Sequence, residues 1–384
     1  MTPYTPPTQD QLLAIRVNAG IDELAQSERF AAAEPDLVEA IVEGVGQFAA
    51  GEFAPLNRIG DLEGAKLENG VVRLPDGFAE AYAAYVEQGW NAIASPVEFG
   101  GQGLPFTLAC NVLENLGSAN MAFNLLPMLS VGAIEALEHH GSDAQKARYL
   151  PDLVSGKWSG TMNLTEPQAG SDVGALRATA TPIEQGEHAG KYLIQGQKIY
   201  ITWGEHELAE NIVHLVLARL PDAPEGTRGI SLFLVPKYHV KDDGSLGPKN
   251  DLRCVSLEHK LGINASPTCV MSYGDNGECV GELVGEPNRG LMAMFTMMNN
   301  ALIAGIAADQ AVRAQLPDIA RARDRLLGWF GNVVFFIAGR FFIGIRTLRL
   351  SNVSQHPGQA GTDRCEASTD ELGCFCFHLK NSFR

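Results

Sequence analysis

The feature that most constrains this chain is a double change of hydrophobic period. Up to about residue 157 the apolar residues recur every three or four positions, as in "DELAQSERFAAAEPDLVEAIVEGVGQFAAGEFAPL" and "GFAEAYAAYVEQGW". That spacing puts one apolar stripe along a helix. Pro35 suits the first turn of the second helix. Ser130 to His140 belongs to a further one. Around Gly160 the pattern turns to β-rich runs bounded by Gly, Pro and Asp: "YLIQGQKIYITW" (192–203), "NIVHLVLARL" (211–220), "GISLFLVPK" (229–237) and "PTCVMSYGDN" (267–276). From Asn288 helix returns, in "RGLMAMFTMMNNALIAGIAADQAVRAQ" (289–315). Helices followed by consecutive strands give an α+β fold or separate domains, not a doubly wound sheet.

Composition narrows the function. Of 384 residues, 45% are hydrophobic and 19% charged, enough for a real core. A net charge of −16 excludes a nucleic-acid surface, which needs a basic footprint. Cys110, Cys254, Cys269 and Cys279 stand singly and read as buried free thiols in a reducing compartment. The N-terminus, "MTPYTPPTQDQLLAIR", has no basic region followed by an apolar run, so the expected location is cytoplasmic.

The usual chemical motifs are missing. There is no G-x-G-x-x-G after a strand, no P-loop, no H-E-x-x-H, no paired C-x-x-C and no G-x-S-x-G. No metal is expected. "GGQG" (100–103) lacks the strand and helix that a phosphate loop needs. Ser171 has no nearby His to activate it. What remains is "TMNLTEPQAGSD" (161–172), dense in donors and acceptors. By composition it is an ordinary polar turn. The other reading is a wall for a planar polar ring.

Five motifs in register, the first a pair of segments, decide between these. "LTEPQAGSD" is followed about thirty residues on by "QKIYITWG" (197–204). With "GWNAIASPVEFGGQGLP" (89–105), "GTRGISLFLVPK" (226–237), "KLGINASPT" (260–268) and "LVGEPNRGLMAMFTMMNNA" (283–301), the chain resembles the acyl-CoA dehydrogenase family from residue 1 to about 315. The resemblance is to its long branch, which includes methylmercaptopropionyl-CoA dehydrogenase-type enzymes.

That resemblance implies an N-terminal α-helical domain (1–157), a central β-barrel-like domain (158–280) and the start of a C-terminal helical bundle (281–325). It implies FAD as cofactor, with Met162, Leu164, Thr165, Gly170 and Ser171 along the isoalloxazine. Tyr200, Ile201 and Thr202 would cover the rest of the ring, and Ser171 would also touch the CoA part of the substrate. The reaction would be α,β-dehydrogenation of an acyl-CoA thioester, with electrons passed to an electron-transfer flavoprotein. Relatives associate through the C-terminal helices, so a homo-oligomer is implied where that bundle is complete.

The family's catalytic glutamate lies in a late Y-E-G-T segment, and no "YEGT" occurs here. Glu166 belongs to the flavin loop itself. Glu366 and Glu371 lack the matching context. Arg325, in "ARDRLLG", resembles an arginine that reaches a neighbouring subunit's flavin. From residue 326 to 384 the tail diverges: aromatics surge, and Cys365, Cys374 and Cys376 crowd into the last twenty residues. A shifted reading frame or replaced C-terminus is the expectation. Residues 326–345 are long enough to span a membrane, but Arg340 interrupts them. The alternatives to an active dehydrogenase are a non-catalytic remnant, or partner subunit, that binds flavin or acyl-CoA, and a membrane-tethered protein.

Overall fold

A computed structural model describes residues 4–315 except Asp242. Arg325, Glu366, Glu371, the three tail cysteines and the apolar run 326–345 lie outside the described residues.

The first part of the chain is built of α1 (Thr8–Val17), α2 (Ile21–Leu24), α3 (Pro35–Phe48), α4 (Ala54–Glu63), α5 (Phe78–Glu87), α6 (Phe106–Ala119), α7 (Met121–His140) and α8 (Asp143–Val154). Pro35 does open α3, which buries Val38, Ile41, Val42, Val45 and Phe48 at helical spacing. A π-turn, Ala49–Phe53, adds a residue before α4. It seats Phe53 flat on Phe123 of α7, with ring centroids 4.2 Å apart. Asn120 caps α7 by accepting from the Phe123 N–H, and Ser142 with Gln145 forms a capping box on α8.

A short hairpin, β1 (Lys66–Glu68) and β2 (Val71–Arg73), sits within this helical part. Period alone missed it. The turn residues Asn69 and Gly70 both have positive φ, and Asn-Gly is the local signal for such a turn.

The strands of the central part are β3 (Trp158–Asn163), β4 (Thr179–Pro182), β5 (Tyr192–Thr202), β6 (Asn211–Ala218), β7 (Ser231–Pro236), β8 (Tyr238–Val240), β9 (Leu246–Lys249), β10 (Leu252–Leu257), β11 (Thr268–Tyr273) and β12 (Val280–Val284). β12 thus runs four residues past the expected end of this part at 280. The main sheet runs β10-β11-β5-β12-β7-β6-β3, with β4 also on β5; β8 and β9 pair separately. β12 turns a corner: Val280 and Gly281 pair with β5, and Glu282 to Val284 pair with β7. Thr179 of β4 bridges to Arg219, just past β6. Strands β5, β12, β7, β6 and β4 therefore form a ring of backbone pairing, which is the barrel-like character expected. Every residue of β6 and β7 is buried, which is why both read as unbroken apolar runs.

Glycines set how closely the helices approach this sheet. A Cβ at Gly160 in β3 would lie 2.3 Å from the Ala133 Cβ of α7. The Gly160 N–H donates instead to Ser130 Oγ, at 3.1 Å. Helix α9 (Gly290–Gln315) begins with its Gly290 N–H bonded to the Ile230 carbonyl, 2.9 Å away. It lies across α6, α7 and β7, and Met297 covers Gly132 of α7.

Candidate cofactor wall at the ends of β3 and β5

Residues 161–165 and 198–202 are far apart in sequence but joined in the fold. The Thr161 hydroxyl donates to the Thr202 carbonyl at 2.7 Å. The Ile199 N–H donates to the Thr165 carbonyl at 2.9 Å. Lys198 Nζ donates to the Leu164 carbonyl at 3.0 Å and to Glu166 Oε1 at 2.8 Å. The two motifs singled out by sequence thus form one continuous edge.

Glu166 is 3% exposed and organises the loop rather than facing a ligand. Besides Lys198, it accepts from the N–H groups of Arg177 (2.6 Å) and Ala178 (3.0 Å) and from Gln168 Nε2 (2.6 Å). Burial alone would raise its pKa. The Lys198 charge and the two backbone donors outweigh burial and hold it below the usual carboxylate range. Burial lowers Lys198 to about 8, although Glu166 pulls it back up. The sequence reading set Glu166 aside as a base, and its four donors give the physical reason.

Tyr200 owes its position to a β-bulge. Cys269 of β11 faces Ile201, but Met271 faces Lys198, so β5 carries one extra residue there. Tyr200 takes up the irregularity with φ +61°, unusual for an aromatic residue, and its side chain is 55% exposed. The bulge lets Lys198 and Ile201 both point inward while Tyr200 points out.

The other expected residues divide by exposure. Met162, Thr165, Gly170 and Thr202 are half-buried, and Ser171 is exposed. Leu164 and Ile201 have buried side chains in the core, so what they can offer a ligand is backbone. No described residue hydrogen-bonds the hydroxyls of Thr165 or Thr202. Two such hydroxyls beside an exposed aromatic face, with the nearby carboxylate turned inward, suit a planar ring that gains negative charge on reduction. Among the described residues no cluster of three or more His, Cys, Asp or Glu could hold a metal.

Arg219 is a supporting residue that sequence reasoning missed. Its guanidinium donates to the carbonyls of Leu176, Gly174, Pro224 and Gly226, fixing the far end of the 164–178 loop. A lone arginine at a strand end carries no local signal. "GGQG" is a packing device: a Cβ on Gly101 would lie 2.0 Å from the Ser95 carbonyl oxygen.

A buried polar network runs beneath this edge. Tyr273 Oη donates to Asn163 Oδ1 (2.7 Å) and meets His214 Nδ1 (3.1 Å), while Ser159 Oγ meets His206 Nε2 (2.9 Å). Burial first, then the Lys237 charge, lowers His214 to about 3 and His206 well below its ordinary value. The unfolded chain protonates these rings near 6.5, so between pH 7 and 5 it gains protons that the folded protein does not. His214 alone should remove about 2 kcal/mol of stability over that interval. Glu135, pushed up to about 7 by burial and Glu138, works in the opposite direction. The His214 share is therefore read as a difference: urea unfolding of H214Q should lose about 2 kcal/mol less than wild type from pH 7 to 5. Equal losses would mean that His214 is already charged in the fold.

Two family models match in tandem. The acyl-CoA dehydrogenase N-terminal domain covers residues 36–157, and the acyl-CoA dehydrogenase middle domain covers 161–275. The chain belongs to the acyl-CoA dehydrogenase family. A 3-methylmercaptopropionyl-CoA dehydrogenase of Ruegeria pomeroyi is 50% identical over 327 residues, covering 84% of this chain and 54% of that protein. The solved butyryl-CoA dehydrogenase of Megasphaera elsdenii shares the fold at TM-score 0.57 and 21% identity, over 72% of this chain and 66% of that one. An acyl-CoA dehydrogenase from Bacillus anthracis, solved in complex with FAD, does so at TM-score 0.56 and 22% identity, over 72% and 42%. The chain spans about half the length of the curated relatives it matches.

Proposed function

We propose that this chain carries the FAD-binding wall of an enzyme that α,β-dehydrogenates an acyl-CoA thioester. The observation that carries the reading is the joining of the two motifs by the Thr161–Thr202 and Thr165–Ile199 bonds. Tyr200 would lie against the isoalloxazine. Thr165 and Thr202 would donate hydrogen bonds to it, and the backbone at Leu164 and Ile201 would complete the wall. Met162 and Gly170 would border it, and Ser171 would reach the CoA moiety. When bound, FAD supplies hydride acceptance from the β-carbon. The electrons would leave to an electron-transfer flavoprotein. The supporting relatives are named as acyl-CoA dehydrogenases.

A second reading is favoured by a specific observation. Glu166 is committed to Lys198 and the loop backbone, so the carboxylate of the candidate cofactor loop is not available as a base. In this reading the chain binds FAD or acyl-CoA without abstracting the α-proton itself.

Purification in the presence of FAD separates the two. The first expects a yellow protein that retains flavin through gel filtration; the second expects retained flavin or bound acyl-CoA. Acyl-CoA-dependent reduction of an electron-accepting dye supports the first reading. Retained flavin without dye reduction supports the second. A folded protein that stays colourless and binds no acyl-CoA would sink both.

A further inference from the structure

Trp203 follows directly on the candidate wall and, unlike Tyr200 and Thr202, is fully buried. Its backbone is left-handed, with φ +56°, and Tyr200 three residues earlier is at +61°. An aromatic residue holds this conformation only where its surroundings fix it.

For Trp203 the surroundings are specific. Its backbone N–H donates to the Pro267 carbonyl at 2.8 Å. Its indole Nε1–H donates at 3.2 Å to the Ala122 carbonyl, in the first turn of α7. Its ring centroid lies 6.2 Å from that of Phe123, with the planes at 27°. Phe123 in turn stacks on Phe53 at 4.2 Å and on Phe78 at 4.8 Å. The end of β5 is therefore tied to the aromatic core of the helical part. Thr202 is caught between two anchors: its carbonyl accepts from Thr161 of β3, and the next residue is Trp203. Tyr200 stands within the bulge, with no Cα partner on β11. Where its ring lies depends on what holds the residues after it.

We propose that Trp203 is a positioning residue for the cofactor: it clamps the end of β5 to α7 and so aims the Thr202 hydroxyl and the Tyr200 ring. The proposal rests on the reading of this wall as an FAD site. It gives Trp203 no contact with the cofactor. Hydrogen bonds weaken steeply as their angle departs from linear, so a small rotation at Thr202 costs affinity even when the fold is intact.

The test compares wild type with W203F, which keeps an aromatic ring but loses the indole N–H, and W203L, which loses both. The readouts are the FAD dissociation constant, the visible absorption bands of the bound flavin and the urea midpoint. W203F should weaken FAD about fivefold, the scale of one neutral hydrogen bond, and W203L should weaken it further. The bound-flavin bands should move toward those of free FAD in the same order. Lower urea midpoints with wild-type affinity and bands would show a role in stability alone and overturn the proposal. Wild type supplies a second measurement that needs no variant to fold. On adding FAD, hydrogen exchange should slow at 198–204 and, together with it, in the first turn of α7 at 121–124. Slowing at 198–204 alone would also overturn the proposal. Both of these outcomes leave the reading of the site standing. Wild type that binds no FAD overturns that reading, and the proposal falls with it.

Discussion

Lys198→Met is expected to lower the free energy of unfolding by about 3–5 kcal/mol, because it leaves Glu166 charged and buried without its partner. Lys198 is fully buried, and its ammonium bonds both the Glu166 carboxylate and the Leu164 carbonyl. The remaining donors to Glu166 are the Arg177 and Ala178 N–H groups and Gln168, which carry no charge. The loss should appear as a lower urea midpoint at pH 7. Adding Glu166→Gln to Lys198→Met should restore much of it, since an uncharged pair has less to desolvate. A single variant within 1 kcal/mol of wild type would mean that water reaches the carboxylate. Where the fold survives, flavin retention should fall with it, because the same lysine ties β5 to the 164–178 loop.

Gly160→Val should be comparably damaging, at about 3 kcal/mol, through overpacking. Even one added carbon would lie 2.3 Å from the Ala133 Cβ, and α7 cannot withdraw without losing the Ser130 bond to the Gly160 N–H. Gly160→Ala should be milder, and Ala133→Gly should relieve it in the double variant. Urea unfolding of the four-member cycle gives the coupling. Additive losses would show that the helix yields at no cost.

How far the sequence speaks for this molecule depends on how local each cause is. β6 and β7 were plain, since burial on both faces forces a continuous apolar run. The Pro35 start of α3 was equally plain, because proline's constraint acts on its own residue. β4, β8, β9 and β12 were not singled out; each has three to five residues, too few to show a period. In the candidate site, the membership of the two segments was legible and their facing was not. Strict alternation would put Lys198, Tyr200 and Thr202 on one side of β5. The bulge breaks that alternation, and it arises from pairing with β11, about seventy residues away. Ile201 was placed at the ring by the family resemblance; its side chain lies in the core, which leaves its backbone to face a ligand.

The closed ring of strands bears on how the protein is made. All of its members, β4, β5, β6, β7 and β12, fall within residues 179–284, and its closing bridge joins Thr179 to Arg219. Domains fold as units while the ribosome is still adding residues downstream. The ring can therefore shut before α9 has left the ribosome. In the newborn chain β6 and β7 are then already paired along both edges, and α9 emerges onto a finished surface.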